Sequence, residues 1–540
     1  MTSTPTQLSR RAALLAGSAT IGLGLAAVTD PAGSADAYVS PAGFCNDPVS
    51  TVLTTALLAE HLGMAFYYTA LTSPAVMRDN RLGGSSLDPN NPGLPPNGNP
   101  HHVCYLQAAL DAEEKHALSL RQAGAQSPFT LFYFPRTAFH GLGHASARNS
   151  FLGMWDFIES VQVGVYAAAV HQFLMLGRND LATQAARMMG VEAEHRALSH
   201  VLSDGTPINT LTLDQVPYSC VSDAAMALAA FVTGHGCHWR TLSRPHQARG
   251  RQVRHTGGDQ VYLTSRDSQW RRRHVLSDER TAIMGEYTEQ KALPARRTFL
   301  ADLAATGAGA ALATSAPMAH AAERGRVTCG ESVPQILNNL LATEQLATTF
   351  YYASLTSPSM ARQRMVSTRR PGQGLGAGGN DADLRAVLDQ EHKHSQLLLN
   401  AGATSAYTEF HFPVLTLRAA GSLGHRGSFL WTVDHLETAC IGAYLLAIKH
   451  FGALGRPDLA LLATRILGVE CEHRVFYRVV GGNDPANNVT LEVESFSCTE
   501  DVVRVLNPYF GGQGTRPGST RVVQLPHARQ IAQALGSHAS

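Results

Sequence analysis

Carboxylates and imidazoles recur in this sequence at spacings suited to holding metal. Glu113 with His116, and Glu192 with His195, form two Glu-x-x-His pairs. On a helix, both side chains of such a pair leave the same face one turn apart. A lone glutamate, Glu60, precedes the first pair, and another, Glu159, lies between the two. The whole series returns as Glu344, Glu391 with His394, Glu437, and Glu470 with His473. All of these sit within otherwise apolar stretches. Four carboxylates match the charge of two divalent ions and can bridge them. One neutral imidazole per ion leaves coordination positions for water, oxygen or peroxide. Without metal, so many ionisable groups in a helical interior would be strongly destabilising. Carboxylate and imidazole accept iron and manganese alike, so the donor set does not choose between them.

Four helical patterns must position the first series, running from about Pro48 to Leu71, His102 to Ala123, Phe151 to Gly177 and Asp180 to Leu202. Apolar residues recur in them at three and four. Gly177-Arg178-Asn179-Asp180 is a stop and restart signal, which predicts that the third and fourth helices are antiparallel neighbours. The second and third are separated by a longer stretch containing Pro128, Phe132-Tyr133-Phe134-Pro135 and Gly141-Leu142-Gly143. Two hairpins joined by one long crossover are therefore expected. Phe66-Tyr67-Tyr68 and Leu71-Thr72-Ser73-Pro74 return as Phe350-Tyr351-Tyr352 and Leu355-Thr356-Ser357-Pro358, and Gly190-Val191-Glu192 as Gly468-Val469-Glu470. The spacing between copies changes only at the Pro/Asn/Gly-rich loop from Asp88 to Pro100, where insertions cost little. At 540 residues the chain exceeds one compact core. The fold expected is all-α, with two tandem four-helix bundles.

Glu, Glu-x-x-His, Glu, Glu-x-x-His on four consecutive helices, present twice, resembles the ferritin-like superfamily, specifically bacterial exported proteins with a ferritin-like domain. The resemblance covers about Asn46 to Val232 and Gly330 to Tyr509. It implies a di-iron or di-manganese centre in each bundle, with Glu60, Glu113, His116, Glu159, Glu192 and His195 as ligands in the first. Glu344, Glu391, His394, Glu437, Glu470 and His473 would serve in the second. Ferritins, rubrerythrins and manganese catalases share this plan, so it names a site and not a reaction. The function expected is redox chemistry towards oxygen or peroxide, as a ferroxidase or catalase-like scavenger. The alternative is a non-enzymatic envelope stress or desiccation-associated bundle with a structural or vestigial metal site.

Helical phase adds supporting residues. Asp156 and Asp434, one turn before Glu159 and Glu437, are expected to hold the far nitrogen of a ligand histidine. Tyr67 and Tyr351, two turns after Glu60 and Glu344, either donate to a ligand carboxylate or bound oxygen, or are ordinary core packing. Among eight cysteines, Cys45 and Cys329 occupy equivalent places before the first helix of each copy, and Cys220 and Cys498 equivalent places after the fourth. In an exported protein, Cys45 with Cys220 and Cys329 with Cys498 are expected to form disulfides.

The remaining segments concern address. Ser9-Arg10-Arg11, a Gly/Ala-rich apolar run and Ala35-Asp36-Ala37 read as a twin-arginine export signal over residues 1–37. Its apolar run, broken by Gly17, Gly22 and Gly24, is too short and weak for a membrane span. The destination expected is the periplasm, cell envelope or medium. Residues 238–290 read as a basic, disordered linker, and residues 291–321, with Arg296-Arg297 and Ala319-His320-Ala321, as a second, internal signal. Met284 then looks like the start of a second coding unit joined to the first, an idea that one intact native mass near full length would refute. Residues 510–540 read as a tail. A net charge of +1 and 16% charged residues suggest neither nucleic acid nor an anionic membrane as partner. The partners expected are metal ions and oxygen or peroxide. Whether the bundles pair or the protein dimerises is left open by the sequence.

Overall fold

The computed structural model describes residues 45, 47–82, 102–127, 129, 131–203, 211–233, 260–262, 329–361, 380–483, 485–511 and 519–536. The expected export signals, at 1–37 and 291–321, lie outside them.

Helix α1 (Val49–Thr72) stops where Pro74 approaches, because proline cannot donate a helical N–H and restricts the residue before it. Helix α2 (Val103–Gln122) completes the first hairpin. Helix α3 (Phe151–Met175) begins at Ser150, whose hydroxyl accepts from the Gly153 N–H at 3.2 Å. It ends at Gly177, whose φ of 69° lets the Arg178 N–H close back on the Phe173 carbonyl at 2.7 Å. That reversal folds α4 (Asn179–Leu202) antiparallel onto α3. The second repeat follows the same rules through α5 (Val333–Thr356), α6 (Asn380–Asn400), α7 (Phe429–Ala453) and α8 (Pro457–Val480). Its Ser428 cap and its Gly455 stop, at φ 68°, stand in for Ser150 and Gly177.

Each crossover between second and third helices carries a short strand. In the first repeat Leu131–Tyr133 pairs antiparallel with Gln260–Tyr262, and in the second Glu409–Pro413 pairs with Thr520–Gln524. The reading of 238–290 as wholly disordered therefore needs correction: three residues are too few to show a strand period, but they find an edge to pair with. The tail is likewise built in, through that strand and the helix Ala528–Ala534, whose Ala534 carbonyl accepts from Arg385. Paired Cα atoms 5.3 Å apart for Cys45–Cys220 and 5.8 Å for Cys329–Cys498 join the entrance of each bundle to the segment after its fourth helix.

The two bundles lie in one compact unit and pack through their second hairpins, α4 on α8, with α3 against α8 and α7 against α4. This contact explains why α4 and α8 are buried on nearly every face. Gly190 and Gly468 make the approach possible. A Cβ at 190 would lie 2.8 Å from both Cys471 Sγ and Glu492 Cγ, and one at 468 would strike the Asp214 carboxylate. The segment after α4 crosses onto the second bundle: the Asp214 N–H donates to the Arg465 carbonyl at 3.1 Å, and Arg465 Nε to the Asp214 carbonyl at 2.7 Å. The segment after α8 crosses the other way, with the Glu492 N–H on the Arg187 carbonyl and Arg187 Nε on the Glu492 carbonyl. Between them run two buried ion triads, Arg196 with Glu472 and Asp214, and Arg474 with Glu194 and Glu492. Each of these backbone clasps and ion triads thus occurs twice with the repeats exchanged.

Among the described residues, only α1 is long and apolar enough to cross a membrane, and most of it is buried in the bundle.

Candidate metal centre

The four helices of each bundle bring the expected residues to one level. Glu60 from α1, Glu113 and His116 from α2, Glu159 from α3, and Glu192 and His195 from α4 are all fully buried. Glu60, Glu113, His116 and Glu192 can direct ligand atoms lying within 4.8 Å of one another, and so can Glu113, Glu159, Glu192 and His195. The two quartets share Glu113 and Glu192. Each Glu-x-x-His pair therefore gives a carboxylate common to both quartets and an imidazole belonging to one. In the second bundle Glu344, Glu391, His394 and Glu470 form the matching quartet. Glu437 stands near His473, its Oε2 3.9 Å from Nδ1.

His116 Nδ1 lies 2.7 Å from Glu192 Oε1 and 3.3 Å from Glu60 Oε2, and His195 Nδ1 lies 3.3 Å from Glu192 Oε2. His394 Nδ1 lies 3.0 Å from Glu470 Oε1, and His473 Nδ1 3.0 Å from Glu391 Oε1. Several of these approaches lack hydrogen-bond alignment. Glu60 Oε2, Glu113 Oε1, His116 Nδ1, Glu159 Oε2 and Glu192 Oε1 are buried with no hydrogen-bond partner among the described residues. In the second bundle the same holds for Glu344 Oε2, both oxygens of Glu391 and of Glu470, His394 Nδ1, Glu437 Oε2 and His473 Nδ1. Buried polar atoms are almost always paired, so this convergence of donor atoms on common points fits a pair of cations.

The electrostatics agree. Burial, then the charges of Glu192, Glu60 and Glu159, hold the Glu113 carboxyl well above the usual range. Burial and Glu192 do the same to Glu159, and Glu391 and Glu437 are raised likewise by burial and Glu470. Burial opposes charge on His116, but Glu192 and Glu60 outweigh it and raise that imidazole to about 10. Burial is likewise outweighed at His394, which Glu344 and Glu470 raise to about 10. With protons as the only counter-charge, the acids and imidazoles coexist by sharing them. Two divalent ions would supply that positive charge without the protons.

Tyrosines fix the outer carboxylate oxygens. Tyr67 Oη donates to Glu159 Oε1 and Tyr351 Oη to Glu437 Oε1, the first of the two alternatives that the sequence leaves open for this pair. Tyr166 donates to Glu60 Oε1 and Tyr444 to Glu344 Oε1, a second pair that sequence reasoning missed. The signal was present, since Tyr166 and Tyr444 stand two turns after Glu159 and Glu437 on the same helical face.

The expectation for Asp156 and Asp434 is corrected. Asp156 Oδ1 meets His200 Nε2 at 2.7 Å and Asp434 Oδ1 accepts from Arg478 Nε at 2.9 Å; neither touches a ligand histidine. The third and fourth helices are antiparallel, so one turn before Glu159 on α3 is level with a position after His195 on α4. The far nitrogens go elsewhere. His116 Nε2 lies 2.6 Å from the Thr490 carbonyl and His394 Nε2 2.6 Å from the Thr212 carbonyl, each from the opposite repeat. His473 Nε2 lies 2.8 Å from Gln390 Oε1, whose amide donates to the Leu211 carbonyl at 3.0 Å.

The two sites differ in their surroundings. Gln162 Nε2 donates to Glu113 Oε2 at 2.8 Å, whereas the equivalent position, one turn after Glu437, is Cys440. Burial, then Glu470 and Glu437, push that thiol well up. Gln390 is matched by Ala112 in the first repeat, where His195 Nε2 has no hydrogen-bond partner among the described residues.

A sequence model of the ferritin-like domain matches residues 49–203 and again 332–482, more than half of the chain. No curated protein and no solved structure matches.

Proposed function

Because this chain belongs to the ferritin-like domain family, we propose that each of its two bundles is a di-metal carboxylate centre that reacts with oxygen or peroxide. The observation that carries the reading is the convergence of buried carboxylate and imidazole atoms that have no hydrogen-bond partner among the described residues. Glu60, Glu113, His116, Glu159, Glu192 and His195 would hold the metal in the first bundle, Glu113 and Glu192 being the carboxylates common to both quartets. Glu344, Glu391, His394, Glu437, Glu470 and His473 would hold it in the second. When bound, iron or manganese supplies the redox chemistry that the side chains themselves lack. The chain's own part is to hold the ligands. Tyr67, Tyr166, Tyr351 and Tyr444 each fix one carboxylate oxygen and leave the other for the metal. Buried aromatic rings, Phe66 stacked on Phe151 at 4.8 Å and Phe350 on Phe429 at 5.2 Å, help keep water from the core.

The reaction is ferroxidase or catalase-like, in a protein exported by the twin-arginine route. Two cysteine pairs at disulfide distance support an oxidising destination. The test uses the full chain. About four iron or manganese ions per chain are expected, falling to about two in Glu113→Ala, His116→Ala. Oxygen-dependent conversion of ferrous to ferric iron is expected to outpace free iron, and a rate equal to free iron would sink the redox reading. Metal whose spectrum ignores azide and peroxide would favour a structural ion in a non-enzymatic bundle.

A further inference from the structure

We propose that the segment following the fourth helix of each repeat is a working part of the opposite repeat's metal centre: the Thr490 carbonyl positions His116, and the Thr212 carbonyl positions His394. This rests on the di-metal reading above and extends it to the way the two centres are built.

A peptide carbonyl can only accept, so a ring nitrogen 2.6 Å from it must carry the hydrogen. In the neutral ring that binds a metal, the proton held on Nε2 leaves Nδ1 with its lone pair, and Nδ1 is the atom that faces Glu60 and Glu192 in one bundle and Glu344 and Glu470 in the other. The carbonyl thus sets both tautomer and ring orientation, the part an outer partner plays for a metal-bound histidine. Here that partner comes from the other repeat. The second centre depends on it twice, because Gln390, which holds His473, is itself anchored on the Leu211 carbonyl.

The crossing segments are pinned for this purpose. Backbone bonds to Arg465 and Arg187 seat them, and the Asp214 and Glu492 carboxylates lock into the buried triads. Just beyond, Cys220 and Cys498 tie the same segments back to their own bundles. Leu211 to Cys220 therefore spans from the opposite bundle's ligand sphere to a covalent anchor on its own. Each repeat supplies its own ligand residues, and the opposite repeat supplies the carbonyls that orient them.

The test reads metal affinity across repeats in the full chain, with Mn(II) as the probe. Glu113→Ala, His116→Ala leaves only the second bundle to bind, and about two ions are expected there. No binding in that parent would sink the di-metal reading itself and not the cross-repeat assignment. Asp214→Lys is then added, which sets a cation against Arg196 and expels the first repeat's segment from the second bundle. Affinity of the second centre is expected to fall about 10- to 100-fold. The same substitution in a Glu391→Ala, His394→Ala parent, which reports the first centre, is expected to have a much smaller effect, and that contrast separates positioning from general unfolding. Should Asp214→Lys fail to fold, Arg465→Ala removes only the guanidinium that grips the Asp214 carbonyl and is expected to weaken the second centre in the same direction. Unchanged affinity in a folded Asp214→Lys, or in Arg465→Ala where the former does not fold, overturns the proposal. Equal losses at both centres overturn it too.

Discussion

Replacing Arg474 with methionine keeps much of the side-chain volume and removes one cation from the seam. Arg474 Nε and Nη2 donate to Glu194 Oε1 at 3.1 and 2.6 Å, Nη1 donates to Glu492 Oε2 at 2.9 Å, and Nη2 also reaches Glu492 Oε1. The three side chains are 3%, 0% and 2% exposed, so neither carboxylate can turn to water once the guanidinium is gone. Breaking a buried pair costs about 3–5 kcal/mol. Two acids are orphaned here, which places Arg474→Met at the upper end, about 5 kcal/mol. Neutralising both acids as well, in Arg474→Met, Glu194→Gln, Glu492→Gln, removes the orphaned charges and should recover most of that loss. Guanidinium unfolding followed by far-ultraviolet circular dichroism compares the three proteins at one pH. A loss below about 1 kcal/mol in the single variant, the range of an exposed pair, would refute the view that this seam is sealed from water.

Other outcomes follow from the same geometry. Tyr166→Phe removes the bond to Glu60 and should lower metal affinity of the first centre by about tenfold, read by chelator competition. Glu331 accepts from Thr499 Oγ1 at 2.7 Å and the Glu500 N–H at 2.8 Å; burial works against its charge, but His450 and these donors bring its carboxyl down to about 2 from an ordinary 4.5. Its contribution is thus complete above pH 4.5 and lost as pH falls through 2. Glu331→Gln should cost about 1–2 kcal/mol at pH 7, with wild-type and variant melting temperatures converging below that range. Cys45→Ala, Cys220→Ala opens a long covalent loop and should cost about 2–5 kcal/mol in the same unfolding assay.

The sequence made legible what depends on local periodicity. Helix spans, the Gly177 and Gly455 reversals, and the ligand level all follow from spacing along single helices. The cysteine pairs followed from the repeat. The histidine partners did not, because Asp156 sits at the correct phase but the wrong height once antiparallel α4 is laid against α3. No pattern in Leu211-Thr212-Leu213 announces that its carbonyls reach another bundle; backbone groups carry no side-chain signature. Glu194 and Arg196, beside His195, could have been read differently. Charges at every phase of a helix that also holds ligands call for ionic partners on more than one side, and α8 supplies them.

Joining both repeats in one polypeptide changes what a single substitution can do. In an association of identical chains every replacement strikes both centres at once, so any gain at one is tied to the same change at the other. Here Gln162 and Cys440 occupy matching places, as do Ala112 and Gln390, and each centre keeps its own neighbour. The crossing segments hold together two halves whose interiors differ at these places. Because the repeats share one chain, a replacement at one ligand cluster leaves the residue at the matching place in the other unchanged.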